Sequence, residues 1–236
     1  MRLTTNEKLI ERQSKLARYA TFGGLAILLG SLATSFMSTT FPIGVSYALL
    51  FVGFVLAYIG AVLANKYIKE PRADQALEKA LKGFDNKNHL YNLVLPIAHV
   101  LLTPTGIIVF RVKPQDGPVS CNGETWRRPF QLSRLFGGMG QEGLGNPTAD
   151  LRADIAKLKD WLANKIDSAA VVPIDGYVVF TDPRVQLTVE EPAVPSVRVE
   201  DLKDSLRKGK RGAPIAPDLY DQVQKALDEE ADAKTA

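Results

Sequence analysis

The feature that most constrains this chain is a run of 47 residues, from Tyr19 to Asn65, that contains no charged residue and no histidine. The short polar segment 38–42 divides it into two apolar stretches, residues 19–39 and residues 43–65. A bilayer core of about 30 Å requires roughly 20 apolar helical residues, so each stretch is long enough to cross. The segment between them has room only for a turn. The sequence therefore predicts a transmembrane helical hairpin over residues 19–65.

A signal peptide is the alternative interpretation of the first stretch, with residues 19–33 as its apolar region. The 18 residues in front of it are long for such a signal. The second stretch would also remain as an anchor, so the hairpin accounts for more of the pattern.

Basic residues lie outside both ends of the predicted hairpin and are absent from its turn. They are Arg2, Lys8, Arg12, Lys15 and Arg18 before it, and Lys66, Lys69 and Arg72 after it. Cytoplasmic flanks of membrane helices are enriched in Lys and Arg. We therefore expect an integral membrane protein with both termini and the soluble domain in the cytoplasm. The single cysteine, Cys121, fits a reducing compartment because it has no partner for an internal disulfide.

The net charge of +3 is unevenly distributed along the chain. Residues 1–69 hold seven Lys/Arg and two Asp/Glu, or +5, which leaves 22 and 24, or −2, for residues 70–236. Basic segments beside a membrane are attracted to anionic lipid. A slightly acidic domain argues against non-specific nucleic-acid binding, which requires many cationic contacts to phosphate.

Four segments follow from these patterns. They are an amphipathic N-terminal segment 1–18 with a short helix from Thr4, the hairpin 19–65, an α/β domain 70–205, and a basic linker with a C-terminal amphipathic helix 206–236. Apolar runs between turn residues predict the strands of the domain. These are residues 91–95, 99–102, 107–112, 171–180, 185–189 and 197–199, with a β-hairpin over 118–128. A long helix is predicted to begin at Asn146-Pro147, since Asn caps helices and Pro suits their first turn.

Small residues recur along one side of the second apolar stretch. They are Gly53, Ala57, Gly60 and Ala64. Small side chains allow helix backbones to approach closely in lipid. We expect them to pack within the hairpin, with a homo-oligomer interface as the alternative.

A glycine-rich loop, residues 137–145, contains the spacing G-x-G-x-x-G. A dinucleotide site needs a buried strand directly before the first glycine, and the residues there are polar, so we interpret this segment as a loop. Two histidines and one cysteine are too few for a convincing zinc site.

The strand-turn-strand unit of residues 97–113 carries the most specific pattern, IAHVLLTPTG followed by IIVFRVK. Gly117 and Trp126 follow it, and then Asn146-Pro147 and the apolar strand 176–180. In order and spacing this resembles the NERD family of nuclease-related domains over about residues 70–205. The resemblance implies a restriction-endonuclease-like α/β fold of the PD-(D/E)xK group, whose members often carry transmembrane segments.

The resemblance also implies where the family's site would lie, and the chain departs from it. The family pattern has Asp where this chain has Ala98, Glu where it has Arg111, and Gln where it has Asp150, while Lys113 is retained. A carboxylate pair holds Mg²⁺, which then activates water against the phosphodiester. Ala98 offers no ligand, and Arg111 places a positive charge where the dication would bind. We therefore expect no metal and no cofactor, unless a displaced carboxylate serves instead, for which Asp116, Glu124 and Asp150 are candidates.

Three hypotheses for function follow. The first is a membrane-anchored, catalytically inactive nuclease-related domain that acts as a binding or structural component on the cytoplasmic face. The second is a Mg²⁺-dependent nuclease that uses a displaced carboxylate and Lys113. The third is an accessory subunit of a larger membrane complex. The expected partners are the lipid bilayer and a protein or second copy bound through the hairpin or the C-terminal helix, rather than nucleic acid.

Overall fold

The computed structural model of the protein describes residues 1–36, 43–129, 142–209 and 212–236. The predicted turn 38–42, residues 137–141 of the glycine-rich loop, and part of the basic linker lie outside the described residues. The described residues form two compact units, a helical one of residues 8–72 and an α/β one that contains residues 1–7, 73–129 and 144–236.

The helical unit consists of two long helices, α1 (Glu7–Phe36) and α2 (Ile43–Tyr67). Both are long and apolar enough to cross a membrane. Their large side chains point outward, with Phe22 69% and Phe51 68% exposed. A soluble protein would bury such side chains, whereas lipid contacts them without cost. The predicted short helix from Thr4 to Arg18 is not a separate element, because α1 begins at Glu7 and continues into the apolar stretch without a break.

Glycines lie where α1 and α2 approach each other. A Cβ on Gly24 would lie 2.5 Å from the backbone nitrogen of Ala57, and one on Gly60 would lie 2.5 Å from that of Thr21. Gly53 is buried in the same way, with Leu28 2.9 Å from the place of its missing Cβ. Such short distances exclude any side chain, so these glycines are what allows the two backbones to pack.

The first strand of the α/β unit comes from the N-terminal end of the chain. The strand β1 (Arg2–Thr5) pairs in parallel with β2 (His89–Asn92), with Leu3 opposite Leu90. This strand was not predicted from the sequence, and the helix predicted from Thr4 begins instead at Glu7. Only Asn6 separates β1 from α1, so a strand of the domain precedes the helical hairpin in the chain.

Six strands form the main sheet, in the order β1-β2-β3-β4-β7-β9. The strands β2, β3 (His99–Thr103) and β4 (Gly106–Lys113) are antiparallel neighbours. The strands β7 (Ile174–Phe180) and β9 (Ser196–Arg198) then continue in parallel with β4. A separate three-stranded sheet holds β5 (Gly117–Asn122), β6 (Thr125–Arg127) and β8 (Val185–Glu190). The predicted α/β class is therefore confirmed.

Helices cover both faces of the main sheet. The helices α4 (Pro147–Ala163) and α6 (Pro217–Thr235) pack on one face, where Val100, Val109 and Val178 are fully buried. The helices α3 (Ala73–Ala80) and α5 (Leu202–Lys208) pack on the other, with Leu101 and Phe110. Alternate strand residues face opposite sides of a sheet, so β3 and β4 supply both cores.

The C-terminal helix α6 belongs to the core of the domain. Its apolar residues Val223 and Leu227 are fully buried, and Ala231 is 1% exposed. The domain therefore extends beyond the predicted segment 70–205 at both ends, to β1 and to α6. Because the apolar face of α6 is covered by its own domain, the reason for expecting a partner on that face no longer applies.

Candidate functional site

The candidate site lies at the end of β4. The side chains of Val109, Arg111 and Lys113 share one face of this strand because alternate residues point the same way. That face is covered by α4. Lys113 is the more enclosed of the two cations, with 2% of its side chain exposed against 30% for Arg111.

Two carboxylates of α4 face these cations. Asp150 and Asp154 are four residues apart and therefore lie on one side of the helix, next to the apolar Leu151 and Ile155. Asp150 lies in the first turn, where the helix dipole favours a negative charge. Asn146 fixes the start of the helix, because its side-chain oxygen accepts a hydrogen bond of 3.1 Å from the backbone N–H of Ala149.

The four side chains form one ion-pair network. One oxygen of Asp150, Oδ2, accepts hydrogen bonds from Lys113 Nζ at 3.0 Å and from Arg111 Nη2 at 3.0 Å. The other guanidinium nitrogen of Arg111, Nη1, lies 3.3 Å from Asp154 Oδ2. Arg111 thus connects β4 to two successive turns of α4. Among the described residues, these contacts join two cationic side chains to two carboxyl groups.

The electrostatics of the two carboxyl groups differ. Burial raises the pKa of Asp150, but the hydrogen bonds and charges of Lys113 and Arg111 outweigh it and hold that pKa below its ordinary value. Burial raises the pKa of Asp154, and the charge and hydrogen bond of Arg111 offset only part of that rise. Asp150 is therefore the firmly ionised partner of the two cations at neutral pH.

A further contact holds the start of α4 against β6. Trp126 Nε1 donates a hydrogen bond of 2.8 Å to Thr148 Oγ1, and Thr148 is 1% exposed. The indole ring also packs against Phe180 at the end of β7, with 5.7 Å between the ring centroids. The ends of β4, β6 and β7 thus meet beside the first turns of α4.

Residues 66–181, which include β2 to β7 and α4, match the family model described as nuclease-related domain, NERD. This part of the chain is a nuclease-related domain. No curated protein and no solved structure matched the chain. The family expected from the strand-turn-strand unit is therefore confirmed.

Three of the four positions expected from the family resemblance lie close together in the nuclease-related domain. Arg111, Lys113 and Asp150 are in contact, whereas Ala98 is exposed in the bend before β3. Val100 lies opposite Val109 in the antiparallel register. The pairing of these two strands ends at this pair, and Ala98 lies in the bend before it.

The displaced-carboxylate candidates have different surroundings. Asp116 accepts a hydrogen bond from Arg128 at 2.5 Å and lies 3.3 Å from Arg184. Glu124 forms an exposed pair with Arg152 at 2.6 Å. Of these three candidates, Asp150 is the one that contacts Lys113, at 3.0 Å.

The described carboxylates of this site are engaged by cations. Mg²⁺ in proteins is held by one or two carboxylates together with waters, in a nearly octahedral arrangement of oxygens at about 2.0–2.1 Å. Asp150 and Asp154 are both paired with the guanidinium of Arg111, so a dication would have to displace existing ion pairs to reach them. Across the described ranges, no group of three or more His, Cys, Asp or Glu side chains is placed to hold a metal.

Sequence reasoning missed Asp154. Its spacing of four from Asp150, beside the apolar stripe of the helix, was the available signal. The acidic partners of Arg111 could not be assigned from the sequence, because they depend on how α4 packs on β4.

Proposed function

We propose that this protein is a membrane-anchored, catalytically inactive nuclease-related domain that acts as a binding or structural component on the cytoplasmic face. One observation carries the proposal: the Asp150 carboxylate is bound by both Lys113 and Arg111. In this arrangement an arginine occupies the position that the family gives to a metal-binding glutamate. A helix acid neutralises the arginine where the family has an uncharged glutamine.

The positive charges of Arg111 and Lys113 oppose the binding of a dication. Two like unit charges 4 Å apart repel by about 4 kcal/mol at an effective dielectric of about 20, and a dication doubles this value. A cation placed beside Arg111 and Lys113 would meet two such repulsions. It would also have to displace them from Asp150, which each contacts at 3.0 Å. The site therefore favours its own ion pairs over a bound dication.

The membrane part of the proposal rests on the hairpin. The described helices α1 and α2 expose most of their large apolar side chains, and basic residues flank their outer ends. By the distribution of these basic residues, the N-terminal strand and the domain face the cytoplasm. Since the apolar face of α6 is covered, we expect a protein partner or a second copy to bind through the hairpin or the polar surface of the domain.

The experiment that tests the proposal uses the full chain in mild detergent, because a fragment from residue 70 would lack β1. Mg²⁺ and Mn²⁺ are titrated by calorimetry, and plasmid and single-stranded oligonucleotide cleavage is measured on the same sample. We expect neither saturable binding nor cleavage. Cleavage that requires the metal and disappears in Lys113→Ala would instead establish the displaced-carboxylate nuclease.

A restored variant serves as the positive control. The triple substitution Ala98→Asp, Arg111→Glu and Asp150→Gln returns the family pattern at three positions while Lys113 stays. It replaces the guanidinium with a carboxylate and removes the acid that neutralised it. We expect this variant to bind Mn²⁺ where the natural chain does not, which would show that the lost side chains, rather than the fold, account for the absence of metal binding.

Purification of the natural full chain in mild detergent tests the third hypothesis. Other subunits that co-purify with it in a fixed ratio would identify it as part of a larger membrane complex.

A further inference from the structure

The helices α1 and α2 are paired in a fixed antiparallel register. Contacts fix it at four levels: Ser14 with the Tyr67 carbonyl at 3.1 Å, Thr21 with Gly60, Gly24 with Ala57, and the hydroxyls of Thr34 and Ser46 at 3.0 Å. In each pair the two residue numbers add to about 81. Every residue of α1 can therefore be assigned a level on α2.

The apolar part of α1 begins at Tyr19. The stretch from Tyr19 to Phe36 has 18 residues, which at 1.5 Å per residue gives about 27 Å, close to the roughly 30 Å of a hydrocarbon core. Arg18 stands directly before this stretch. Lys66 is level with residue 15, which lies about 4.5 Å further from the apolar part of the hairpin than Arg18 does. Arg12 lies six residues, or about 9 Å, beyond Arg18. Lys69 follows the end of α2 at Tyr67, and its backbone N–H donates a hydrogen bond of 2.8 Å to the Ala64 carbonyl, which holds it close to the helix end.

Four cations ring the hairpin within reach of the lipid headgroups, and we call them the basic collar: Arg12, Arg18, Lys66 and Lys69. The headgroup layer of each leaflet is about 5–7 Å thick, and long basic side chains extend along the helix to reach it. All four residues are exposed. Lys15, at the same height, differs because it is paired with Glu11 at 2.7 Å.

The collar carries its charge uncompensated within the part of the chain that the structure describes. There, none of its four residues has an acidic side chain within ion-pair distance. Lys66 lies 5.3 Å from the centre of the Tyr67 ring, a contact that leaves its positive charge in place. Uncompensated cations at this height attract an anion that is supplied by the surroundings.

We propose that the basic collar binds the phosphate groups of anionic lipids in the leaflet next to the domain. This inference rests on the membrane anchoring proposed above and adds the class of lipid. Arginine binds phosphate oxygens through two parallel N–H groups, and lysine adds a point charge. One cation near an anionic membrane surface corresponds to roughly a fivefold change in partitioning. The collar should therefore select anionic over zwitterionic lipid.

The test uses the full chain reconstituted into phosphatidylcholine vesicles that contain traces of spin-labelled lipid. Electron paramagnetic resonance measures the motionally restricted fraction for labelled phosphatidylglycerol and labelled phosphatidylcholine. We expect phosphatidylglycerol to be enriched at the protein at least about fivefold at low salt. This preference should fall towards equality in the fourfold Gln variant of the collar, and in 0.5 M NaCl, because salt screens exposed charges.

Two matched variants make the result specific. The first changes four exposed lysines of the domain to Gln, which removes the same total charge away from the collar: Lys79, Lys87, Lys159 and Lys208. The second, Arg12→Lys with Arg18→Lys, keeps the collar's charge. Both should retain the preference for phosphatidylglycerol.

Two outcomes overturn the proposal. Equal association of both lipids with the natural chain would show that the collar selects no headgroup. A preference that persists in the collar variant would place lipid selection on another surface. Washing the vesicles with alkaline carbonate tests the membrane anchoring separately. Release of the protein by this wash would contradict the anchoring itself, whereas the two outcomes above concern only the choice of lipid.

Discussion

Removing the charge of Asp150 should destabilise the domain much more than removing an exposed acid on a neighbouring element. The variant Asp150→Asn keeps the shape of the side chain but leaves the Lys113 ammonium, 2% exposed, without its carboxylate at 3.0 Å. Coulomb attraction at that distance is about 5 kcal/mol at an effective dielectric near 20. Breaking a fully buried pair costs about 3–5 kcal/mol. Because Asp150 is 34% exposed, solvent screens part of this, and we expect a loss of about 2–3 kcal/mol.

Urea unfolding of the full chain in detergent, followed by tryptophan fluorescence, measures this loss, since Trp126 and Trp161 both lie in the α/β unit. The matched control is Glu124→Gln, whose pair with Arg152 is more than half exposed on both sides and should contribute less than about 1 kcal/mol.

A double-mutant cycle with Lys113→Met isolates the pair. In that background no buried ammonium remains, so Asp150→Asn should cost at least about 1.5 kcal/mol less than in the natural chain. If Asp150→Asn is no more harmful than Glu124→Gln, or equally harmful in both backgrounds, then the ion pair does not hold the site together and the reasoning is wrong.

Four further outcomes are expected. Replacing Arg2–Thr5 with glycines should lower the urea midpoint and increase amide exchange in β2, and unchanged exchange would contradict the pairing of these strands. Burial lowers the pKa of His89 in the folded state, so the free energy of unfolding should decrease as pH falls from about 6.5 through that lower value, and His89→Gln should flatten this slope. Burial raises the pKa of Cys121, which is 2% exposed, so maleimide should label it at pH 7 only when urea unfolds the domain. In the hairpin, Gly60→Ala should lower the thermal midpoint of the helical circular dichroism signal by an amount corresponding to about 1–3 kcal/mol, whereas Gly30→Ala, with open space around it, should not.

The parts of the fold that local patterns determine were predictable from the sequence. The apolar strands β3 and β4 and the capped start of α4 lie within one or two residues of their predicted bounds. The strand β1 was not predictable, because it has four residues and pairs with residues 89–92 across the whole hairpin. Short polar strands take their structure from a distant partner rather than from their own preference.

The candidate site was also predictable only in part from the sequence. Arg111, Lys113 and Asp150 were identified by comparing residues with a family pattern. That a single carboxylate oxygen binds both cations depends on the rotation and height of α4 over β4, which no local pattern encodes. The contact of Asp154 with Arg111 depends on the same packing and was therefore not predictable from the sequence either.

The position of β1 before α1 has a consequence for how the domain can be detached from a membrane. The chain passes between domain and hairpin twice, once at Asn6 and once in the five residues between α2 and α3. A protease that cuts only the second connection leaves β1 hydrogen-bonded to β2 and still continuous with α1. Shedding of the domain therefore requires either two cuts or the withdrawal of an edge strand from its sheet.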